Sequence, residues 1–146
     1  NASKPTAARI KLVSVEQARC VSEGPRIYGS QQAAMVAKQF LAGKDREHFI
    51  SMHIDSRNRV VSIETVSIGT LDFVSVHPRE VFKAAILANA RAIICAHNHP
   101  SGGLQPSDAD RKAYDTLKAS GELLGIPLLD FLIVSDEGTW ASSESW

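Results

Sequence analysis

The sequence of 146 residues lacks several features that define special classes of protein. No apolar run approaches the roughly 20 residues that a membrane-spanning helix needs, and no charged-then-apolar segment of the secretory kind stands at its start. Two cysteines, Cys20 and Cys95, are too few for a disulfide framework. We therefore expect a cytoplasmic protein with no membrane partner, in which Cys95, inside an apolar run, is a small buried hydrophobe.

Net charge is also absent, because 16 basic residues balance 16 acidic ones. The charges are unevenly spread: residues 1–50 hold 8 basic and 4 acidic groups, and residues 101–146 hold 3 and 8. This basic excess is too thin for a nucleic-acid footprint, which needs Lys and Arg clustered on one face. Nucleic acid stays open as a partner, but the charge does not support it. The 44% hydrophobic and 22% charged content is that of an ordinary globular domain.

Hydrophobic periodicity and turn residues predict helices and strands that alternate along the chain. In chain order these are a helix that Ser30 caps and Gly43 ends, strands 48–55 and 60–68 joined as an antiparallel hairpin, strand 72–76, a helix from Pro78 through Ala88, an apolar strand ending at His97, a helix from Ser107 to about Leu124, strand 128–135 and an edge strand at 140–146. Residues 1–29 form a weakly specified lead-in with a short edge strand at 9–15. This order predicts an α/β layered domain over residues 30–146.

The most informative stretch is His97-Asn98-His99, followed by a Gly/Pro loop and then Ser107-x-x-Asp110. Residues i and i+2 of a strand point to the same face, so both imidazoles can aim at one point. Two imidazoles and a carboxylate are the protein half of a catalytic zinc site, whose fourth position holds water. Alternatively, the histidines are surface or hydrogen-bonded residues, and Ser107 with Asp110 is a capping-box-like helix start. A capping aspartate could still ligate through its free oxygen.

H-x-H, seven residues and then S-x-x-D resembles the signature of the JAMM/MPN metalloproteases. The fuller string HNHPSG...PS..D, preceded by VHPRE at residues 76–80, resembles the RadC branch of that superfamily, from about Ser30 to the C-terminus. The resemblance implies a JAMM/MPN (cytidine-deaminase-like) architecture, a mixed β-sheet flanked by helices. It also implies one Zn²⁺ per chain, held by His97, His99 and Asp110, and a glutamate on a separate element as general base.

Full-length RadC-like chains carry a helix-hairpin-helix region ahead of this domain. Only about thirty residues stand there in this sequence, and none of them is typical of a DNA-binding hairpin. We therefore expect either a short member of the family or part of a longer chain.

Two glutamates are candidates for the general base. Glu47 begins the strand after the first helix, where JAMM proteins carry their catalytic glutamate, and we favour it over Glu64 in the hairpin. Each could instead be an exposed charge. The resemblance gives Ser107 a second role, stabilising the oxyanion of a tetrahedral intermediate. Of the remaining histidines, His77 is expected to cap a helix or lie at the surface, and His53 to face outward.

Two functions from different classes follow. The first is a zinc-dependent hydrolase of peptide or isopeptide bonds, using metal-activated water on a peptide or protein substrate. The second is a RadC-type, DNA-repair-associated protein, acting as a metal-dependent nuclease or a DNA-associated binding module. Cupins need a histidine after His99, and zinc deaminases need a P-C-x-x-C motif; both are absent from this sequence. The α/β context and the JAMM spacing disfavour an Fe(II) site. The substrate and the oligomeric state stay open.

Overall fold

The computed structural model describes the backbone of residues 18–20 and the whole of residues 24–69 and 76–143. In these residues it shows six strands and three helices: β1 (Ala18–Cys20), α1 (Ser30–Leu41), β2 (His48–Ile54), β3 (Val60–Ile68), α2 (Pro78–Leu87), β4 (Ala92–Asn98), α3 (Asp108–Leu124), β5 (Leu128–Ser135) and β6 (Gly138–Ala141). The predicted α/β class is confirmed.

The strands form one mixed sheet in the order β1-β3-β2-β4-β5-β6. β2 and β3 pair antiparallel, which confirms the predicted hairpin. β4 and β5 pair parallel, so the chain must cross from the end of one strand to the start of the next. α3 supplies that crossover, and its first turn therefore lies beside the end of β4.

Helices cover both faces of the sheet. α1 packs on one face, while α2 and α3 pack on the other. Alternate residues of β4 enter different cores: Ile94 and Ala96 join the core under α1, and Ile93 and Cys95 join the core under α2 and α3. Burial raises the pKa of the Cys95 thiol to about 12, which confirms it as a buried hydrophobe. His97, two residues further along, faces the α2 and α3 side.

Local signals set the ends of α3 where the sequence predicts them. Ser107 is the N-cap, and Gly125 ends the helix in a left-handed conformation with φ of 74°. The prediction for α1 is wrong at its start, because Gly29 is the N-cap and Ser30 is already helical. The Ser30 hydroxyl instead contacts Oδ2 of Asp130 and the carbonyl oxygen of Ser143.

Some predicted strands differ from the structure. The predicted edge strand at 9–15 and most of the strand at 72–76 lie outside the described residues. An edge strand does form at Ala18–Cys20, within the predicted lead-in, and pairs with β3. β6 begins at Gly138, earlier than the predicted strand at 140–146, of which residues 144–146 are not described. Within the described residues, no helix is both long and apolar enough to cross a membrane.

Candidate metal centre

β4 carries two histidines to one end of the sheet. His97 is buried, with its ring stacked on Phe49 and edge-on to Phe131, at centroid distances of 6.1 and 5.8 Å. His99 lies just beyond the strand, and its ring centroid is 4.7 Å from that of His97. His99 Nδ1 lies 2.8 Å from the carbonyl oxygen of Gly103. Because a carbonyl only accepts, Nδ1 carries the proton and Nε2 is left free to ligate.

The third member of the group, Asp110, comes from the first turn of α3. One carboxylate oxygen, Oδ2, accepts a hydrogen bond from the Ser107 amide at 2.8 Å, while the Asp110 amide donates to Ser107 Oγ at 3.1 Å. This reciprocal pair is a capping box. The other oxygen, Oδ1, lies 2.9 Å from His97 Nε2, and Oδ2 lies 3.5 Å from His99 Nε2. One side chain therefore caps a helix and also faces both histidines.

The side-chain atoms of this group that face one another are those that a metal ion would bind. His97 Nε2 and Asp110 Oδ1 are buried, and neither makes a hydrogen bond of good geometry with any described residue. One ligand atom from each of His97, His99 and Asp110 lies within 4.8 Å of the other two. Ligands held tetrahedrally at 2.0–2.2 Å from zinc stand about 3.3–3.6 Å apart. The three residues therefore fit a metal ion with small side-chain adjustments.

The charge state of Asp110 suits a cation. Burial acts to raise the pKa of Asp110, but the contact with His97 and the hydrogen bonds with Ser107 outweigh it, and the pKa lies below its usual value. The partial positive charge at the N-terminus of α3 also favours the anion. The carboxylate is therefore ionised at neutral pH, which is the form that binds a metal.

Glu47 immediately precedes β2 and is half-buried. β2 and β4 pair Phe49 with His97, and this is the last pair of their ladder. The Glu47 carbonyl oxygen accepts a hydrogen bond from the Gly69 amide at 2.8 Å. Glu47 therefore lies two residues before Phe49, the β2 residue that pairs with His97.

Glu64 lies elsewhere. It pairs with Ser51, and Ser51 pairs with Cys95, so Glu64 is two strands away from β4 and further from the sheet end. The interpretation of Glu64 as solvent-exposed is wrong, because only 2% of its surface is accessible. Burial is the largest influence and raises its pKa, with Lys83 and Glu80 of α2 as the neighbouring charges.

The other histidines do not join the metal group. His77 is the N-cap of α2, and its Nδ1 accepts a hydrogen bond from the Arg79 amide at 3.1 Å, so the capping interpretation is confirmed. The outward orientation predicted for His53 is wrong. Its side chain is fully buried beside the Ser62 hydroxyl, and burial lowers its pKa from 6.5 to about 4.

A cavity of about 330 Å³ adjoins the group. Its walls include Asp110 and the aromatic rings of Tyr114, Phe131 and Trp140. Phe131 also touches His97, and the Tyr114 ring stands edge-on to it at a centroid distance of 6.0 Å. Aromatic rings therefore form part of the wall of this cavity beside Asp110.

Comparison with known proteins agrees with this geometry. The family model described as "RadC-like JAB domain" matches residues 27–145. The chain belongs to this family. The resemblance drawn from the HNHPSG...PS..D string is thereby confirmed, and membership suggests a metal-dependent hydrolase of the JAMM type.

The curated relatives carry the name "UPF0758 protein", which states no activity. The one from Pelodictyon phaeoclathratiforme is 41% identical over 118 residues, which are 78% of this chain and 53% of that protein. The one from Chlorobaculum parvum is 43% identical over 112 residues, 77% and 50% of the two chains. The one from Rubrobacter xylanophilus is 39% identical over 142 residues, 94% and 62%. The chain spans about half the length of most of these relatives.

Proposed function

We propose that this domain is a zinc-dependent hydrolase of peptide or isopeptide bonds. His97, His99 and Asp110 would hold one Zn²⁺ per chain. The observation that carries the proposal is the convergence of three ligand atoms within 4.8 Å, two of them buried without a hydrogen bond to any described residue. Two imidazoles and one carboxylate suit zinc and leave its fourth position open.

Bound zinc supplies hydroxide at neutral pH, because it lowers the pKa of water to about 7. Glu47 is the general base: its carboxylate takes the proton that the attacking water gives up and delivers it to the leaving amine, which departs only when protonated. Ser107 Oγ already accepts a hydrogen bond from the Asp110 amide, so its own proton is free to be donated. Ser107 therefore serves as a donor to the oxyanion that develops on the substrate.

The loop that carries the ligands and the cavity beside Asp110 suit a peptide better than a nucleic acid. Residues 98–110 include no Lys or Arg, although cations are the main source of affinity for a phosphate backbone. The cavity beside Asp110 is lined by aromatic rings and contains one cation, Arg111, with Asp115 close to it. An apolar side chain flanking the scissile amide is a substrate group that such a cavity can hold.

The test combines metal analysis with a cleavage screen. The zinc-loaded protein is offered a peptide and isopeptide library and single-stranded DNA. We expect one zinc per chain and cleavage of an amide substrate. His97→Ala should lose both zinc and activity. Glu47→Gln should keep zinc and fold but lose activity, whereas the matched control Glu122→Gln, exposed on α3, should keep all three.

Two results would overturn the proposal. One is a folded, chelator-free sample that binds no metal by elemental analysis. The other is DNA cleavage that depends on metal and on Glu47 and is accompanied by no amide cleavage, which would establish the nuclease instead.

A further inference from the structure

Asn98, the middle residue of His97-Asn98-His99, reaches across to the start of the neighbouring strand. It is buried, with 7% of its surface accessible. Its Oδ1 accepts a hydrogen bond from the His48 amide at 2.7 Å, and its Nδ2 donates to the Arg46 carbonyl oxygen at 2.9 Å. These two backbone groups lie on either side of Glu47.

The geometry has a simple origin. The ladder between β2 and β4 ends at the pair Phe49–His97, and His48 with Asn98 would be the next pair. A primary amide offers one acceptor and two donors in a plane, like a peptide group. The Asn98 side chain therefore substitutes for main-chain pairing where the ladder stops.

Further contacts fix the same short segment. The Glu47 carbonyl oxygen accepts from the Gly69 amide at 2.8 Å, and His48 Nδ1 lies 2.9 Å from the Arg46 carbonyl oxygen. With Asn98 in place, hydrogen bonds hold the backbone before, at and after Glu47.

We infer that Asn98 is a positioning residue for Glu47. The inference rests on the proposed role of Glu47 as general base. A proton-transferring group must be held within about 0.5 Å of its productive position. The side chain of Asn98 provides this by tying the backbone of the base to the strand that carries both histidine ligands. An aspartate carboxylate could not donate to the Arg46 carbonyl oxygen, and leucine could make neither bond.

The first experiment tests the contact in the metal-free protein. Hydrogen exchange of the His48 amide is followed by NMR in the wild type, in Asn98→Leu, which keeps a similar shape, and in Glu47→Gln. We expect exchange of this amide to be about tenfold faster in Asn98→Leu, because one hydrogen bond contributes about that factor. It should be unchanged in Glu47→Gln and in the control Gln105→Leu. An unchanged rate in Asn98→Leu would overturn the inference.

The second experiment asks whether Asn98 acts through Glu47. The visible spectrum of the Co²⁺-loaded protein is titrated with pH in the wild type, both single variants and the double variant. The measured quantity is the pH at the midpoint of the spectral change. We expect Asn98→Leu to shift this midpoint in the same direction as Glu47→Gln does, by at least half as much. In the Glu47→Gln background it should add nothing. An equal shift in both backgrounds would reveal a merely structural role and overturn the inference.

Failure of the proposed function gives a different pattern. If Glu47→Gln moves no midpoint, the assignment of the base falls and this inference falls with it, whatever His48 exchange shows. If Asn98→Leu does not fold, Asn98→Ser is measured in its place, with the same expected directions.

Discussion

The metal-free protein should lose stability as the pH falls from 7 to 5. Replacing His53 with leucine should make that loss about 2 kcal/mol smaller. Burial lowers the pKa of His53 from 6.5 to about 4. As pH falls below 6.5, the unfolded chain takes up a proton that the folded protein refuses. The contribution of the neutral ring to the free energy of unfolding is thus fully present above pH 6.5. It is lost as the pH falls toward 4 and does not change further below that.

The magnitude follows from these two pKa values. Each pKa unit of difference corresponds to about 1.4 kcal/mol. The free energy of unfolding changes with pH over most of the interval between pH 6.5 and pH 5. The single group therefore contributes about 2 kcal/mol to the difference between pH 7 and pH 5. Glu64 acts in the opposite sense, because its raised pKa favours the folded state as the pH falls. Its contribution cancels when the variant is compared with the wild type.

The assay is urea denaturation at both pH values, with chelator present so that metal release does not contribute. Ile54→Val is the control, because Ile54 is the next residue of β2 and belongs to the core under α1, and the change removes packing without removing a proton site. Ile54→Val should lower the free energy of unfolding by the same amount at pH 7 and at pH 5. If His53→Leu loses as much stability between pH 7 and pH 5 as the wild type does, the buried neutral ring is not the cause.

Three further predictions concern the metal group and its helix. Ser107→Ala should lower the free energy of unfolding by about 1 kcal/mol through loss of the N-cap, measured by urea denaturation without metal; no loss would contradict the capping box. Zinc at 100 times its Kd should stabilise the protein by about 2.7 kcal/mol, seen as a higher Tm that His99→Ala abolishes; an equal rise in that variant would place the ion elsewhere. Gly121→Ala should cost about 1–3 kcal/mol, because a Cβ there would lie 2.5 Å from the Ile126 carbonyl oxygen; an unchanged unfolding midpoint would refute this.

Much of the fold could be predicted because its signals are local. Ser107 at the start of α3 and Gly125 at its end act through their own backbone neighbours, so both ends are visible in the sequence. The two histidines spaced by one residue fix a shared face for the same reason. The clustering of His97, His99 and Asp110 could therefore be predicted from residues 97–110 alone.

The orientations of His53 and Glu64 could not be predicted, because they depend on the whole sheet. Both lie in segments of mixed polar and apolar residues, a pattern that is typical of a strand with one solvent-exposed face. In the fold, β2 and β3 both lie inside the sheet and helices cover both of its faces, so neither side chain faces solvent. Asn98 was missed for another reason: its partners are backbone atoms fifty residues earlier, and backbone atoms leave no pattern in a sequence.

The use of one side chain, Asp110, both to start a helix and to face the histidines has a consequence for how the protein matures. All three metal-facing residues lie within residues 97–110, so they can meet as soon as that short segment forms, since short-range contacts form early in folding. Glu47 arrives only when β2 has docked against β4, a contact of long sequence separation. Under the proposed function, an ion could therefore be captured by chains whose sheet is incomplete, and metal content alone would overstate the fraction of a preparation in which β2 and Glu47 are in place.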